Sequence, residues 1–414
     1  MPESLRPRIA PDWLVRLLSI ELTLIAFFIP AGRFHINLGF YQFTTGYDAY
    51  KTFPILFVTW LAYRLLDQSR RHETSALALP GAAFVICTLL AGVGSPDAYQ
   101  ALTETLEIIC YALFFRLLLD MPRDRLRWRW VAGGFVVGNL YLAGRVAWQV
   151  ASKWGEVELL RVPGTFDHPN ALGVYAVLGA GGLLWLAGHC RGGLARTGLF
   201  VLALAIAGAG VLSLARTATA GLLLFGLVWV VLGTGRQRVL ALLLMAGVGA
   251  LASGAVIDVG ARFAELMQPE FWRGHTARWV IWALMLGREL PELPLFGVGL
   301  GPVLQERLVG AMASARGFDL APAQWGAHNL YLELLLGTGL AGLLAFLWLN
   351  GAVFGVLWRL PRWERAILAA VLAAFLAQMA LINFWLVGNI PVAVTALFAI
   401  AVRRAQTQQP EAGQ

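Results

Sequence analysis

The sequence predicts an all-α integral membrane protein of about twelve transmembrane helices, with a large helical loop on the periplasmic side between spans nine and ten. Three observations predict it. The chain of 414 residues is 58% hydrophobic and only 14% charged, with a mean hydropathy of +0.68. A soluble domain has about 25% charged residues. The apolar surplus is gathered in blocks of the length that crosses a bilayer as a helix, about 17–25 residues. The blocks are continuous rather than alternating, which excludes a β-barrel. Finally, arginines recur on every second connection between blocks.

The blocks fall near 13–30, 53–66, 77–94, 101–119, 130–150, 171–188, 198–214, 219–233, 239–257, 327–350, 366–384 and 390–402. Residues 1–257 thus hold spans one to nine. Residues 258–326 form a loop domain, 327–402 the last three spans, and 403–414 a tail. The connections rich in arginine hold Arg6 and Arg8, Arg64 to Arg71, Arg123 to Arg129, Arg191 and Arg196, Arg236 and Arg238, Arg359 to Arg365, and Arg403 and Arg404. Basic loops stay in the cytoplasm, so both termini are expected there and the other connections on the periplasmic or extracellular side. The net charge of +8 belongs to this topology signal and implies no nucleic-acid partner. Cys87, Cys110 and Cys190 lack metal or redox spacing.

The long loop is more than a linker. Residues 276–290 read as a helix too apolar to float free, expected to lie on the membrane surface or pack against the spans. Phe296 to Pro302 is a glycine-rich turn, read as turn geometry rather than a phosphate loop, because it lacks the preceding strand and following lysine.

Arginine should be depleted on the outer face, so each one there asks for a reason. Arg161 precedes Val-Pro-Gly-Thr-Phe-Asp-His-Pro-Asn, Arg216 lies in a short turn at membrane level, and Arg278 opens the loop helix. Arg216 is either a snorkelling helix-end residue or an anion contact beside the amides of the next helix start. Arg145, inside a span, has Glu104 and Glu107 as possible ion-pair partners.

His328 opens a span. A histidine there can cap or simply hydrogen-bond. A helix N-terminus and neighbouring arginines also disfavour imidazolium, which leaves a ring able to accept a proton. Asn329 and Glu333 are spaced to bond along one helix face. His168 and Asn170 belong to a polar turn. No His-Glu-x-x-His, Gly-x-Ser-x-Gly or Asp-x-Asp pattern is present, so no metal or cofactor is expected.

His328-Asn329, followed after nine residues by Gly339 and after two more by Gly342, resembles the bacterial O-antigen ligases and the related O-antigen polymerases. Gly164-Thr-Phe-Asp-His-Pro-Asn170 after Arg161, Arg278 with Ile281-Trp282, and the run from Pro294 to Gly301 extend the likeness. The resemblance implies a glycosyltransferase using a glycan on undecaprenyl diphosphate at the periplasmic face. His328 would be the catalytic base, Arg161, Arg216 and Arg278 would hold the diphosphate, and Asn329, His168, Asn170 and Glu333 would support them. A ligase acting on lipid A-core oligosaccharide is preferred. The alternatives are a polymerase or a protein O-oligosaccharyltransferase using the same donor, and a transporter or flippase without covalent chemistry. Polar residues at span ends rather than the midplane speak against transport.

Overall fold

A computed structural model describes residues 11–31, 34–37, 42–45, 49–67, 75–121, 126–152, 162–166, 168–253, 281–283, 285–286, 294–301, 307, 310–311, 314, 328–382 and 389–408. Within the described residues, each of the twelve apolar blocks contains a helix. They are α1 (Asp12–Ala31), α2 (Ala49–Leu66), α3 (Ala78–Val93), α4 (Ala98–Asp120), α5 (Trp128–Ser152) and α6 (Pro169–His189). The second half comprises α7 (Gly193–Leu212), α8 (Arg216–Leu232), α9 (Gly235–Ser253), α10 (Leu330–Leu357), α11 (Arg362–Met379) and α12 (Ile390–Gln406). Taken singly, α1, α6, α7 and α10 are long and apolar enough to cross a membrane. Parts of α2, α3 and α8 are shorter apolar helices.

Two expectations about secondary structure need correction. The connection between α1 and α2 carries an antiparallel hairpin, β1 (Phe34–Asn37) with β2 (Gln42–Thr45), so the chain is not purely α. Phe34 pairs with Thr45 and Asn37 with Gln42. A few residues of Phe, Ile and Thr between apolar blocks suit strand pairing but are too short to show a period. The tenth span begins at Leu330 rather than residue 327, because Asn329 caps it.

Lipid tails are as apolar as leucine, so helices in a bilayer are held by close packing of small residues rather than by excluding water. Gly134 and Gly138, four apart on α5, let it lie directly on α1. A β-carbon at either would meet the backbone oxygen of Thr23 or of Phe27. The inner helix α6 is buried along most of its length and packs on α7, α8 and α11. Its Gly181 and Gly188 leave room for Val371 and Trp363 of α11. α3 lies against α10, and α12 against α4. Leu, Val and Trp side chains such as Leu61, Val137 and Trp348 point outward, as a lipid-facing surface requires.

The helix ends sort as alternating passage demands. At one end, the fully buried Glu364 of α11 accepts hydrogen bonds from Arg404 and from the Trp185 indole at 3.2 Å. Arg403 donates to the carbonyls of Leu118 and Met121, and Arg362 to that of Leu232. These arginines belong to the face expected in the cytoplasm. With the Trp185 indole they tie the ends of α6, α8 and α12 to the start of α11, and the end of α4 to α12. At this face Asp120 also pairs with Arg116 at 2.8 Å. Arg145 is exposed, and among the described residues no ion pair joins it to Glu104 or Glu107, so that expected pairing is not formed.

Candidate functional site

At the opposite end, α10 starts on a built cap. Asn329 turns its side-chain oxygen onto the amides of Tyr331, at 3.0 Å, and Leu332, at 3.2 Å. This satisfies two of the donors that every helix start leaves over. The Asn329 side chain is therefore spent on capping. Its link to Glu333 runs through the backbone, where the Glu333 amide donates to the Asn329 carbonyl at 3.0 Å. Glu333 stands in the first turn, where the helix dipole favours a carboxylate. His328 precedes the cap with φ of 49°, in the left-handed region that residues with a β-carbon seldom enter. Backbone strain of this kind costs about 1–3 kcal/mol and gathers at functional sites. The side chain of His328 is half-buried.

Eleven residues beyond His328, α10 breaks. Gly339 has φ of 64° and ψ of −171°, a conformation open essentially to glycine. The run from Leu295 to Gly301 fills the gap as a strap. The amides of Val298 and Gly299 donate to the carbonyls of Leu336, at 3.0 Å, and Gly337, at 2.8 Å. The Ala341 amide donates to the Leu295 carbonyl at 3.2 Å. Backbone groups released by the break thus find partners, as they must at membrane depth. Gly297, at φ of 72°, passes so close to α10 that a β-carbon there would meet the backbone of Gly337 and Gly339. On its other side the strap meets the α3–α4 turn, where Gly299 faces Ser95 and Ala101. The glycine run is a turn, as expected, and it also has a docking place that its sequence did not announce.

The loop helix packs onto the same half of α10. Ile281 and Met285 are buried against Leu332 and Leu336, with Trp282 and Val298 beside them. Of the two arrangements expected for this segment, packing against the spans is the one these residues adopt.

Arg216 is the first residue of α8, which starts without a side-chain cap. The turn before it is held by Ser213. Its hydroxyl donates to the Gly210 carbonyl at 2.6 Å and accepts from the Ala215 amide at 3.2 Å. Leu214 in this turn is the second described non-glycine residue with positive φ, at 52°. Both left-handed residues therefore introduce helices that carry candidate site residues.

His168 caps α6, its Nδ1 accepting from the Asn170 amide at 3.0 Å. The ring is oriented by this bond, and the neutral imidazole then carries its proton on Nε2. The preceding turn is clamped by Gln149 of α5, which donates to the Gly164 carbonyl and accepts from the Gly164 amide. Val162 donates to Leu212 at the end of α7. Arg161 and Arg278 lie outside the described residues.

The end of α11 joins these pieces. The Tyr331 hydroxyl in the first turn of α10 donates to the Leu376 carbonyl at 2.9 Å. Two residues later the Gln378 amide donates to the carbonyls of Thr217 in α8, at 3.0 Å, and Gly173 in α6, at 3.3 Å. The first turns of α6 and α8 also touch, since a β-carbon at Gly173 would meet that of Ala218 at 2.6 Å. The structure thus gathers the helix starts bearing His168 and Asn170, Arg216, and His328, Asn329 and Glu333 around one end of α11. Reasoning from the sequence missed Gln149, Tyr331 and Gln378. For Gln378 a signal existed, because an amide inside an apolar span is costly without a partner.

Among the described residues, no three His, Cys, Asp or Glu side chains gather as metal ligands. The helix starts at this end carry imidazole and guanidinium side chains together with helix-start amides, groups whose chemistry suits proton exchange and anion contact.

Fold and site together define a multi-pass helical membrane protein whose polar groups collect where helices begin on one face. Residues 199–347, from α7 into α10, match the family model described as O-Antigen ligase. The match includes Arg216, Arg278, His328, Asn329, Glu333, Gly339 and Gly342, and leaves Arg161, His168 and Asn170 outside. It points to glycosyltransferase activity of the O-antigen ligase or polymerase type, without separating the two. Among curated proteins, none matches this chain.

Proposed function

We propose that this protein is a lipopolysaccharide O-antigen ligase of the bacterial inner membrane, with twelve spans, both termini in the cytoplasm and its site at the periplasmic face. The donor is a glycan on undecaprenyl diphosphate, and the acceptor is a hydroxyl of lipid A-core oligosaccharide. The acceptor oxygen attacks the anomeric carbon from the side opposite the diphosphate, forming the new glycosidic bond with inversion. The bond from the anomeric carbon to the diphosphate oxygen breaks, and its electron pair leaves with undecaprenyl diphosphate. The acceptor proton passes to His328 as general base. Arg161, Arg216 and Arg278 neutralise the charge that grows on the leaving diphosphate. Asn329 sets the entry of His328 into α10, and His168, Asn170 and Glu333 shape the surrounding polar turns. No step calls for a cofactor.

The observation that carries this reading is the shared anchorage of two helix starts. Tyr331 and Gln378 tie the first turns of α10 and α8, which follow His328 and begin at Arg216, to α11 at positions two residues apart, 376 and 378. Ile281 and Met285, which follow Arg278 in the chain, pack on Leu332 and Leu336 of α10.

Purified protein reconstituted with a lipid-linked glycan, with and without lipid A-core, tests the reaction. Transfer onto lipid A-core with release of undecaprenyl diphosphate is the expected product pattern. Lengthening of the glycan without any acceptor would replace the ligase by a polymerase. Glycan appearing on a protein acceptor would identify a protein O-oligosaccharyltransferase, and movement of the donor without bond exchange would identify a transporter.

A further inference from the structure

Gln378 stands out among the polar groups that the proposed reaction does not use. It lies one residue before the end of α11, is 2% exposed, and is surrounded by apolar helices. Both hydrogens of its amide nitrogen are engaged by carbonyl oxygens, Thr217 of α8 and Gly173 of α6. Two acceptors on that side fix the amide's orientation, since the opposite flip would set oxygen against oxygen. Among the described residues no donor reaches its Oε1. Thr217 and Gly173 already sit inside helices, so helix formation alone does not call for this contact. Gly221 leaves space for it, because a β-carbon there would collide with the Gln378 side chain.

Thr217 directly follows Arg216, and Tyr331 in the first turn of α10 is bonded to Leu376, two residues before Gln378. We infer that Gln378 is a positioning residue for Arg216: it fixes the first turn of α8 against α6 and α11, and so sets the guanidinium relative to the site at the start of α10. The inference rests on the proposed role of Arg216 toward the diphosphate. Gln378 touches neither substrate nor reacting atoms. It acts through the backbone of Thr217.

The test compares Gln378→Met, which keeps the volume and removes both donors, with Gln378→Glu, which keeps the shape and sets a carboxylate oxygen against the two carbonyls. Each is made in the wild-type and the Arg216→Lys background and assayed for transfer from a lipid-linked glycan to lipid A-core, beside thermal unfolding. Lysine keeps the charge but not the planar fork, so its activity depends less on the aim of the helix start. Small misplacements of such groups cost up to about 100-fold in rate. Both variants should lower kcat about tenfold or more with Arg216 present, leave the KM for lipid A-core unchanged, and change transfer less than about twofold with Arg216→Lys. Where turnover in the lysine background is too low to measure, affinity for the lipid-linked donor carries the same comparison. Equal losses in both backgrounds, or losses that follow the unfolding temperature alone, would reduce Gln378 to a structural tie and overturn the inference. Full activity of Gln378→Met beside an impaired Arg216→Lys would also overturn it while leaving the proposed site standing. An unimpaired Arg216→Lys and Arg216→Ala would remove the site's reading first, and the inference with it.

Discussion

Replacing Gly339 by alanine places a methyl group against the carbonyl of Leu295 and the amide of Gly297, both backbone atoms that cannot swing aside. It also demands that a residue with a β-carbon hold φ of 64° and ψ of −171°. Strain of that kind costs about 1–3 kcal/mol. The collision would push the strap off α10, endangering the bonds of Val298, Gly299 and Ala341. At about 0.5–1.5 kcal/mol each, their loss brings the expected destabilisation to about 3–7 kcal/mol. That is a large part of the ~5–15 kcal/mol that holds a typical protein folded. Gly351→Ala in the same helix supplies the control, because a β-carbon there meets no atom within 4 Å. Helix propensity alone should make it neutral or up to about 1 kcal/mol stabilising. Thermal unfolding of both variants in detergent, followed by tryptophan fluorescence, measures the contrast. A Gly339→Ala protein as stable as Gly351→Ala would refute the broken helix and its strap.

Other substitutions examine the remaining parts of the framework. Asn329→Ala removes the cap of α10 and should cost about 0.5–2 kcal/mol, with a fall in transfer activity that Asn329→Asp largely restores; unfolding and turnover assays check both. Gly138→Leu should separate α1 from α5, because even a β-carbon there meets the Phe27 carbonyl and the Pro30 ring; a loss of about 1–3 kcal/mol or more would appear as a lower unfolding temperature. Arg404→Met leaves the fully buried Glu364 carboxylate without its arginine partner. Partial exposure of Arg404 reduces the expected loss to about 1–3 kcal/mol, and adding Glu364→Gln should recover part of it in the same measurement.

The helices were legible because a bilayer demands long apolar runs and a helix satisfies every backbone group within them. The alternating arginines fixed which ends belong together. Arg403 and Arg362 now hold the ends of α4 and α8 at one face, as that alternation requires. Less was visible where several segments meet. Gly339 and Gly342 could be recognised as a spacing, but glycine is ordinary in membrane helices, and the break is evident only with the strap bonded into it. Asn329 was expected to work sideways toward Glu333, whereas the nearer amides of its own helix start claim its side chain. His328 was placed at a helix mouth. Its left-handed backbone just before the Asn329 cap is encoded by no local pattern. Gln378 was hidden for a similar reason, as its two partners lie 161 and 205 residues away in the chain.

The most direct test is transfer of a lipid-linked glycan to lipid A-core by His328→Ala and His328→Gln, with donor affinity measured in parallel. Loss of a general base should lower kcat by about 10²–10⁴-fold while donor affinity and the unfolding temperature stay near wild type. Transfer by either variant at the wild-type rate would contradict the assignment of His328 as the proton acceptor.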